Sequence, residues 1–243
     1  MSAFPPPASP ALPPGIGTRN ERSLHASLKK WYAQPGDRLE VPLGGYFIDI
    51  VREEQLIEIQ TRNFSAIGPK LRRMLHRHRV HLVFPVAQEK WVVQVSPCGQ
   101  HRLSRRKSPR RGSLLDLFDE LVRIPDVVSH PHFSLEVLLI GEEEIRCRDG
   151  KGSRRRKGIS LQDRVLLDVR QQVCYSRLED FLAVLPAGLP APFSNKELAQ
   201  GLGVQVYRAQ KISYCLRKMG LLEVGGKHRN ELLFSLTGAA GKG

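Results

Sequence analysis

The sequence contains few cysteines and no closely spaced pair of them. Its four cysteines, Cys98, Cys147, Cys174 and Cys215, lie far apart along a chain of 243 residues. Zinc fingers need at least one cysteine pair at short spacing, so the sequence excludes that class of site. A disulfide framework is typical of small secreted domains that are rich in cysteine, and this long chain has too few. We therefore expect four reduced thiols.

Long apolar runs are also missing. No segment is long and apolar enough for a transmembrane helix, and the N-terminal residues lack the apolar stretch of a signal peptide. Residues 1–17 are instead rich in proline, which predicts a disordered or polyproline-like tail without chemistry of its own. These absences predict a soluble, cytoplasmic protein with no membrane partner.

Positive charge, in contrast, is abundant. The formal net charge is +14, the isoelectric point is near 10.1, and 41% of the residues are hydrophobic. The apolar content is sufficient for a core, and the length allows one large domain or two modest ones. A basic excess of this size favours a polyanionic partner, which predicts binding to nucleic acid.

Residues 45–61 form the most informative stretch. Two short runs rich in β-branched residues alternate with period 2 and flank a polar turn at residues 52–55, which predicts a tight hairpin. A turn centred between Glu53 and Glu54 places Asp49 directly opposite Glu58. Like charges in this position destabilise a strand pair, so either one carboxyl is protonated or a cation such as Mg2+ lies between them. The alternative is a different register, in which one acid merely lies at the rim of the sheet.

The elements around this hairpin have a regular order. A helix is expected from Thr18 to about Ala33, then a strand at residues 39–43, the hairpin, a helix at about 65–77, and strands at 80–85 and 90–95. Glu21 falls on the apolar stripe of the first helix, where an acid is unusual. A glutamate in a first helical turn is also favoured simply by the helix dipole.

This order, with Asp49 in the second strand and Glu58-Ile-Gln60 in the third, resembles the PD-(D/E)XK (restriction-endonuclease-like) nuclease superfamily over residues 18–96. The resemblance implies an α/β (α+β) fold with an αβββαβ core. It implies that Asp49 and Glu58 hold Mg2+, or Mn2+ in its place, and that Glu21 completes the metal site. Gln60 stands where the family usually has a lysine, and an amide can orient a water but cannot lend it positive charge. Lys70, on the following helix, either reaches back to supply that charge or is an ordinary surface lysine.

Two basic segments follow in the first domain, which we expect to span residues 18–158. The first is predicted to be a flexible loop at 99–112, and the second lies at 151–157; between them we expect a helix at 113–128 and a strand at 133–140. Such segments either contact phosphates or remain solvated charge runs. The candidate nucleic-acid contacts are Arg105, Arg106, Lys107, Arg110, Arg111, Arg154, Arg155, Arg156 and Lys157.

The C-terminal part begins with an expected helical connector at residues 159–190. Ser194 and Glu197 then form a capping box for a short helix, a longer helix runs from about Gln205 to Met219, and a hairpin follows with a basic tip at 225–230. This arrangement resembles a winged helix-turn-helix domain, assigned to residues 191–243. The resemblance implies DNA contacts by Arg208 and Lys211 on the second helix and by Lys227 and Arg229 on the wing, although such domains also bind proteins.

Two functions remain open from the sequence. The first is a Mg2+-dependent DNA endonuclease that a winged helix positions on DNA, with a homodimer as one way to cut both strands. The second is a non-catalytic DNA-binding protein that keeps a nuclease-like scaffold. The basic segments do not distinguish DNA from RNA.

Overall fold

A computed structural model describes residues 23–99, 101–154 and 157–238. Three of the residues singled out from the sequence, Glu21, Arg155 and Arg156, lie outside the described residues, as does the proline-rich tail. The described part is a mixed α+β structure built around one large sheet.

The first six elements follow the predicted order of helix, three strands, helix and strand. They are α1 (Ser23–Tyr32), β1 (Arg38–Leu43), β2 (Tyr46–Arg52), β3 (Gln55–Ile59), α2 (Phe64–Leu75) and β4 (Arg79–Val95). Gly44 and Gly45 both have positive φ, at 58° and 84°, and these values allow a two-residue turn between β1 and β2. The β2–β3 turn lies at Glu53 and Glu54, as expected.

The large sheet has the strand order β1-β2-β3-β4-β6-β7, and β5 pairs with β4. Strands β6 (Phe133–Arg148) and β7 (Ile159–Tyr175) complete it, with β5 at Arg102–Lys107. The contacts β3–β4 and β4–β6 are parallel, and the other pairs are antiparallel. Helix α1 covers one face with Leu24 and Leu28, and α2 packs on the other face with Phe64 and Leu71.

Several predicted segments are longer or more regular in the structure. The strands predicted at 80–85 and 90–95 are one 17-residue strand, β4, and the strand predicted at 133–140 continues to Arg148. The basic segment at 99–112 was expected to be a flexible loop, but Arg102–Lys107 forms β5 against the second half of β4. A partner strand supplies hydrogen bonds that turn an otherwise loop-like basic sequence into a strand.

The prediction of a helical connector at residues 159–190 is wrong. Residues 159–175 form β7, and only Leu178–Val184 forms a short 3-10 helix. The pairing of β7 with β6 shifts register three times, leaving extra residues in β7 near 162, 167 and 170. Each bulge breaks the two-residue alternation of a strand, so the apolar positions come to resemble helical spacing.

The helix predicted at 113–128 is broken into three short pieces. A 3-10 turn at Leu114–Asp116 leads into α3 (Leu117–Leu121), and α4 (Pro125–Val128) begins at the proline. The apolar positions of the prediction are correct, because Leu117, Phe118 and Leu121 are buried.

The C-terminal elements agree with the sequence. They are β8 (Phe193–Ser194), α5 (Asn195–Leu202), α6 (Val206–Lys218), β9 (Leu222–His228) and β10 (Glu231–Leu236). Ser194 and Glu197 form the expected capping box. Buried side chains of α5 and α6 join the same core cluster as those of α2 and α3. The C-terminal part therefore packs directly on the described residues up to Tyr175, which contain the large sheet and which we call the sheet domain. Within the described ranges, no helix is both long and apolar enough to span a membrane.

Candidate functional site

Asp49 and Glu58 lie in one pocket at the ends of β2 and β3. The β2–β3 register pairs Ile50 with Ile57, so the next position along the strands brings Asp49 opposite Glu58, as the hairpin prediction required. The pocket has a volume of about 330 Å³, and Gln60, Lys70 and His25 also line it. Two strands and two helices therefore contribute polar side chains to one small space.

Asp49 is held as a carboxylate. His25 Nε2 lies 3.1 Å from Asp49 Oδ2, and the main-chain N–H of Ile59 donates to the same oxygen at 2.9 Å. Burial by itself would raise the pKa of Asp49, but the hydrogen bond and charge of His25, together with the Ile59 N–H, outweigh burial and lower the pKa. Asp49 is the fixed negative charge of the pocket.

Glu58 is in the opposite situation. It is only 3% exposed, and burial is the main cause that raises its pKa from an ordinary value of 4.5 to about 7. Lys70 opposes the rise and the charge of Asp49 adds to it. Lys70 Nζ is 2.5 Å from Glu58 Oε1, but the geometry does not make a hydrogen bond to this buried oxygen. The contact is an ion pair, because opposite charges at this distance attract each other strongly.

Lys70, rather than Gln60, places a side-chain nitrogen against Glu58. The Lys70 ammonium also donates to the main-chain carbonyl of Phe47 at 2.5 Å, and its side chain is only 14% exposed. The Gln60 amide nitrogen donates instead to the carbonyls of Arg62 and Asn63, in the turn before α2. Of the two arrangements left open by the sequence, the geometry matches the one in which Lys70 reaches back toward the acids.

The described residues contain two carboxylates at this point and no group of three or more His, Cys, Asp or Glu side chains that could hold a metal ion. The third predicted ligand, Glu21, lies outside them. Two carboxylates are nevertheless compatible with Mg2+, which is commonly bound by one or two acids, with waters and substrate phosphates in its other positions. Glu58 fits such a role, because a buried carboxyl beside a second one is destabilised when both are charged, and a cation would relieve this.

The sequence analysis did not identify His25. It lies beside Leu24, at the edge of the apolar stripe of α1. Glu21 was singled out because it falls on the apolar stripe itself, and His25, which lies beside the stripe, gave no such signal.

The candidate nucleic-acid residues of the sheet domain divide into paired and unpaired groups. Arg105 pairs with Glu143 and lies over the ring of Trp91, and Lys107 pairs with Glu89. The other described candidates form no ion pair with any described residue and are exposed: Arg106, Arg110, Arg111, Arg154 and Lys157. Arg154 and Lys157 lie at the end of the β6–β7 hairpin.

Arg208 and Lys211 do not project freely from α6, contrary to the arrangement expected for DNA contact. Arg208 Nη2 contacts Asp116 and lies 3.0 Å from Asp119, and Lys211 Nζ lies 2.7 Å from Asp119. Because α6 packs against α3, this side of the helix faces the sheet domain. The exposed side of α6 carries other residues: Tyr207, Gln210, Tyr214, Arg217 and Lys218.

The basic tip of the C-terminal hairpin lies where the sequence predicted it. Lys227 and Arg229 are exposed at the β9–β10 turn, and Arg229 has a positive φ of 54° there. Whether this region contacts nucleic acid stays a prediction.

Comparison with known proteins identifies the family. Residues 22–176 match the family model described as "Domain of unknown function (DUF8091)", which covers more than half of the chain, so the chain belongs to this family. The match ends one residue after β7. The chain is also 32% identical over 221 residues to an uncharacterized protein of Treponema pallidum (strain Nichols), covering 90% of this chain and 86% of that protein. No solved structure matches the chain.

Proposed function

We propose that this protein is a metal-dependent DNA endonuclease, with its active site in the pocket of Asp49, Glu58 and Lys70. The supporting observation is the meeting of two carboxylates and one ammonium at the ends of paired strands, with the pKa of Glu58 raised to about 7. Perturbed carboxyls in a cleft are characteristic of functional sites. The α+β core and its element order support the same proposal, and the finer restriction-endonuclease-like assignment is part of it.

Mg2+, or Mn2+, is the proposed cofactor, and Asp49 and Glu58 are the residues that would hold it. Held by these two carboxylates, such an ion would polarise a phosphate and lower the pKa of a bound water. Asp49 is suited to binding because His25 and the Ile59 N–H already keep it ionised. His25 acts in this proposal by orienting Asp49.

Lys70 takes the position next to the reacting groups that the sequence pattern would have given to residue 60. Its ammonium lies beside Glu58 and can donate a hydrogen bond to a water or to a phosphate oxygen entering the pocket. The Gln60 amide stabilises the turn at residues 61–63, and α2 begins directly after this turn. Gln60 therefore helps to position α2, the helix that carries Lys70.

The test compares DNA cleavage with Mg2+ by the wild type and by Asp49→Asn, Glu58→Gln and Lys70→Met. Loss of a metal-binding acid is expected to reduce the rate by about a hundredfold to a thousandfold, because the ion that would stabilise the developing negative charge is no longer held. Glu54→Gln is the matched control, since it removes the same charge from an exposed acid in the neighbouring turn. Cleavage of equal rate by the wild type and the two acid variants contradicts the proposal.

A second candidate is a non-catalytic DNA-binding protein, and one observation favours it. Lys70 lies at Glu58 and His25 at Asp49, so each acid already has a partner that offsets its charge in the described structure. This candidate predicts salt-dependent DNA binding without any response to divalent metal. Calorimetric titration of Mg2+ or Mn2+ separates the two candidates, because heat that disappears in Asp49→Asn supports the enzyme.

A further inference from the structure

A second cleft lies beside the first pocket, between β4, residues 108–112 and the start of α6. Its volume is about 550 Å³. Five basic side chains and one exposed tyrosine are among its lining residues: Lys90, Arg110, Arg111, Arg164, Arg208 and Tyr207. We call this space the Tyr207 cleft.

Most of the charged side chains around the Tyr207 cleft have a partner of opposite charge or a hydrogen bond among the described residues, and two arginines do not. Its acids are engaged: Asp116 and Asp119 pair with Arg208, and Glu120 accepts the main-chain N–H of Phe64 at 2.9 Å. Lys90 and Arg164 lie against Glu142. Arg110 and Arg111 are exposed and have no ion pair with any of the residues that the structure describes. They are the two cations available to an incoming anion.

The segment that carries these arginines is held firmly in place. Gly112 donates its N–H to the Ala87 carbonyl at 2.8 Å, and a Cβ at position 112 would lie 2.7 Å from that same oxygen. Only glycine permits this close approach of the segment to β4. Arg110 and Arg111 are therefore presented at a defined position beside the cleft.

Tyr207 gives the cleft an aromatic surface. Its side chain is 60% exposed although it is large and apolar, and the Lys211 ammonium lies 5.6 Å from the ring centroid. Exposed aromatic rings beside basic groups are the usual platform for unpaired bases, which stack on the ring while their phosphates meet the cations. Bases inside a duplex are already stacked on each other and cannot use such a ring.

The two spaces are neighbours along the sheet. The Gln60 N–H donates to the Val83 carbonyl at 2.9 Å, and the next residue, Phe84, lines the Tyr207 cleft. Glu120, which also lines the cleft, binds the first N–H of α2, the helix that carries Lys70. These two hydrogen bonds connect the elements that line the pocket to the elements that line the cleft.

We propose that the Tyr207 cleft binds a single-stranded segment of nucleic acid, so that the preferred substrate has unpaired nucleotides next to the site of cleavage. The volume supports this assignment, because about 300–1,000 Å³ is the size of a site for a small ligand, and a nucleotide is of that size whereas a duplex is not. This inference rests on the proposed function for its meaning, but the binding it predicts can be measured without cleavage.

The experiment measures fluorescence anisotropy of labelled DNA in EDTA at constant salt. The probes are an oligothymidine, a blunt duplex of equal length, and a duplex with an oligothymidine tail. Tyr207→Ala is expected to weaken binding of the oligothymidine and of the tailed duplex by about tenfold, with less than a twofold effect on the blunt duplex. Tyr207→Phe keeps the ring and is expected to bind as the wild type does. An Arg110→Ala, Arg111→Ala double variant is expected to weaken oligothymidine binding and to reduce its dependence on salt.

Tyr214→Ala is the matched control, since Tyr214 is an exposed tyrosine on the same helix but outside the cleft. Equal losses with Tyr207→Ala and Tyr214→Ala, equal losses on all three probes, or no loss with Tyr207→Ala would overturn the proposal. Circular dichroism of each variant excludes misfolding as the cause of a loss, and retained binding of the blunt duplex by Tyr207→Ala does so independently.

The same probes distinguish this inference from the proposed function. If Mg2+-dependent cleavage is absent while the preference for tailed DNA is present, the nuclease proposal fails and the cleft assignment stands. If cleavage is present without that preference, only the cleft assignment fails.

Discussion

Glu58 and Glu142 are two buried glutamates on the same sheet, and the charged groups around them differ. Glu142 is fully buried and has two cationic partners, with Lys90 Nζ 2.9 Å from Oε1 and Arg164 Nη2 2.5 Å from Oε2. Glu58 is nearly as buried but has one cationic partner, Lys70, and an anionic neighbour, Asp49.

This difference separates a structural carboxylate from a candidate functional one. Two cations lie against Glu142, and one of them, Lys90, is shared with Glu144. At Glu58 the balance is reversed, so the ionised form is disfavoured and the pKa rises to about 7. A buried acid therefore indicates a functional site when its neighbours fail to neutralise it, and burial alone does not.

The largest stability effect is expected from breaking the Glu142 network. Glu142→Gln leaves Arg164 without its buried counter-charge and leaves Lys90 with Glu144 alone, which should lower the free energy of unfolding by about 3–5 kcal/mol. Urea denaturation measures the change. Glu143→Gln is the control, because its pair with Arg105 is partly exposed and should contribute about 1 kcal/mol or less. Equal effects of the two variants would contradict the comparison.

Glu58→Gln should act in the opposite direction and only at higher pH. The folded-state pKa of Glu58 is raised from 4.5 to about 7, so ionisation costs folding free energy as the pH rises between these values. Relative to Glu58→Gln, the wild type should lose on the order of 3 kcal/mol between pH 4.5 and pH 8. Denaturation curves of both proteins across this range test the prediction, and a difference that does not depend on pH would contradict it.

Divalent metal should offset much of the folding free energy that is lost when Glu58 ionises. If Asp49 and Glu58 bind Mg2+, a metal concentration of 100 times Kd should stabilise the wild type by about 2.7 kcal/mol at pH 8, because the ion binds only the folded state. Thermal unfolding with Mg2+, and with Ca2+ as a second ion, measures this without any cleavage. Asp49→Asn should show no such shift, and an equal shift in that variant would place the ion elsewhere.

The smallest effect is expected at the contact between α6 and the sheet domain. The contacts of Arg208 and Lys211 with Asp119 are partly exposed, so a double-mutant cycle of Arg208→Ala and Asp119→Ala should give a coupling energy of about 1 kcal/mol. Arg217→Ala, on the exposed side of α6, should show no coupling with Asp119→Ala. Absence of coupling between Arg208 and Asp119 would mean that Arg208 is available for contact with DNA.

The β2–β3 hairpin was predicted correctly from the sequence, whereas β7 was predicted to be helical. The hairpin was predictable because its alternation is unbroken and its turn is short, so the opposition of Asp49 and Glu58 follows from counting residues. In β7 the bulges against β6 disrupt the alternation, and the same kind of counting suggested a helix. Local periodicity identifies a strand only where the ladder is regular.

The sequence by itself determined the order of the first six elements, the strong positive charge, and the meeting of two acids across a hairpin, because each depends on neighbours along the chain. Only the tertiary structure decided which cation reaches those acids and which way α6 faces. Lys70 and Arg208 have long side chains, and the packing of α2 on the sheet and of α6 on α3 selects their partners. Those partners lie 12 and 92 residues away in sequence, beyond the range of any local pattern.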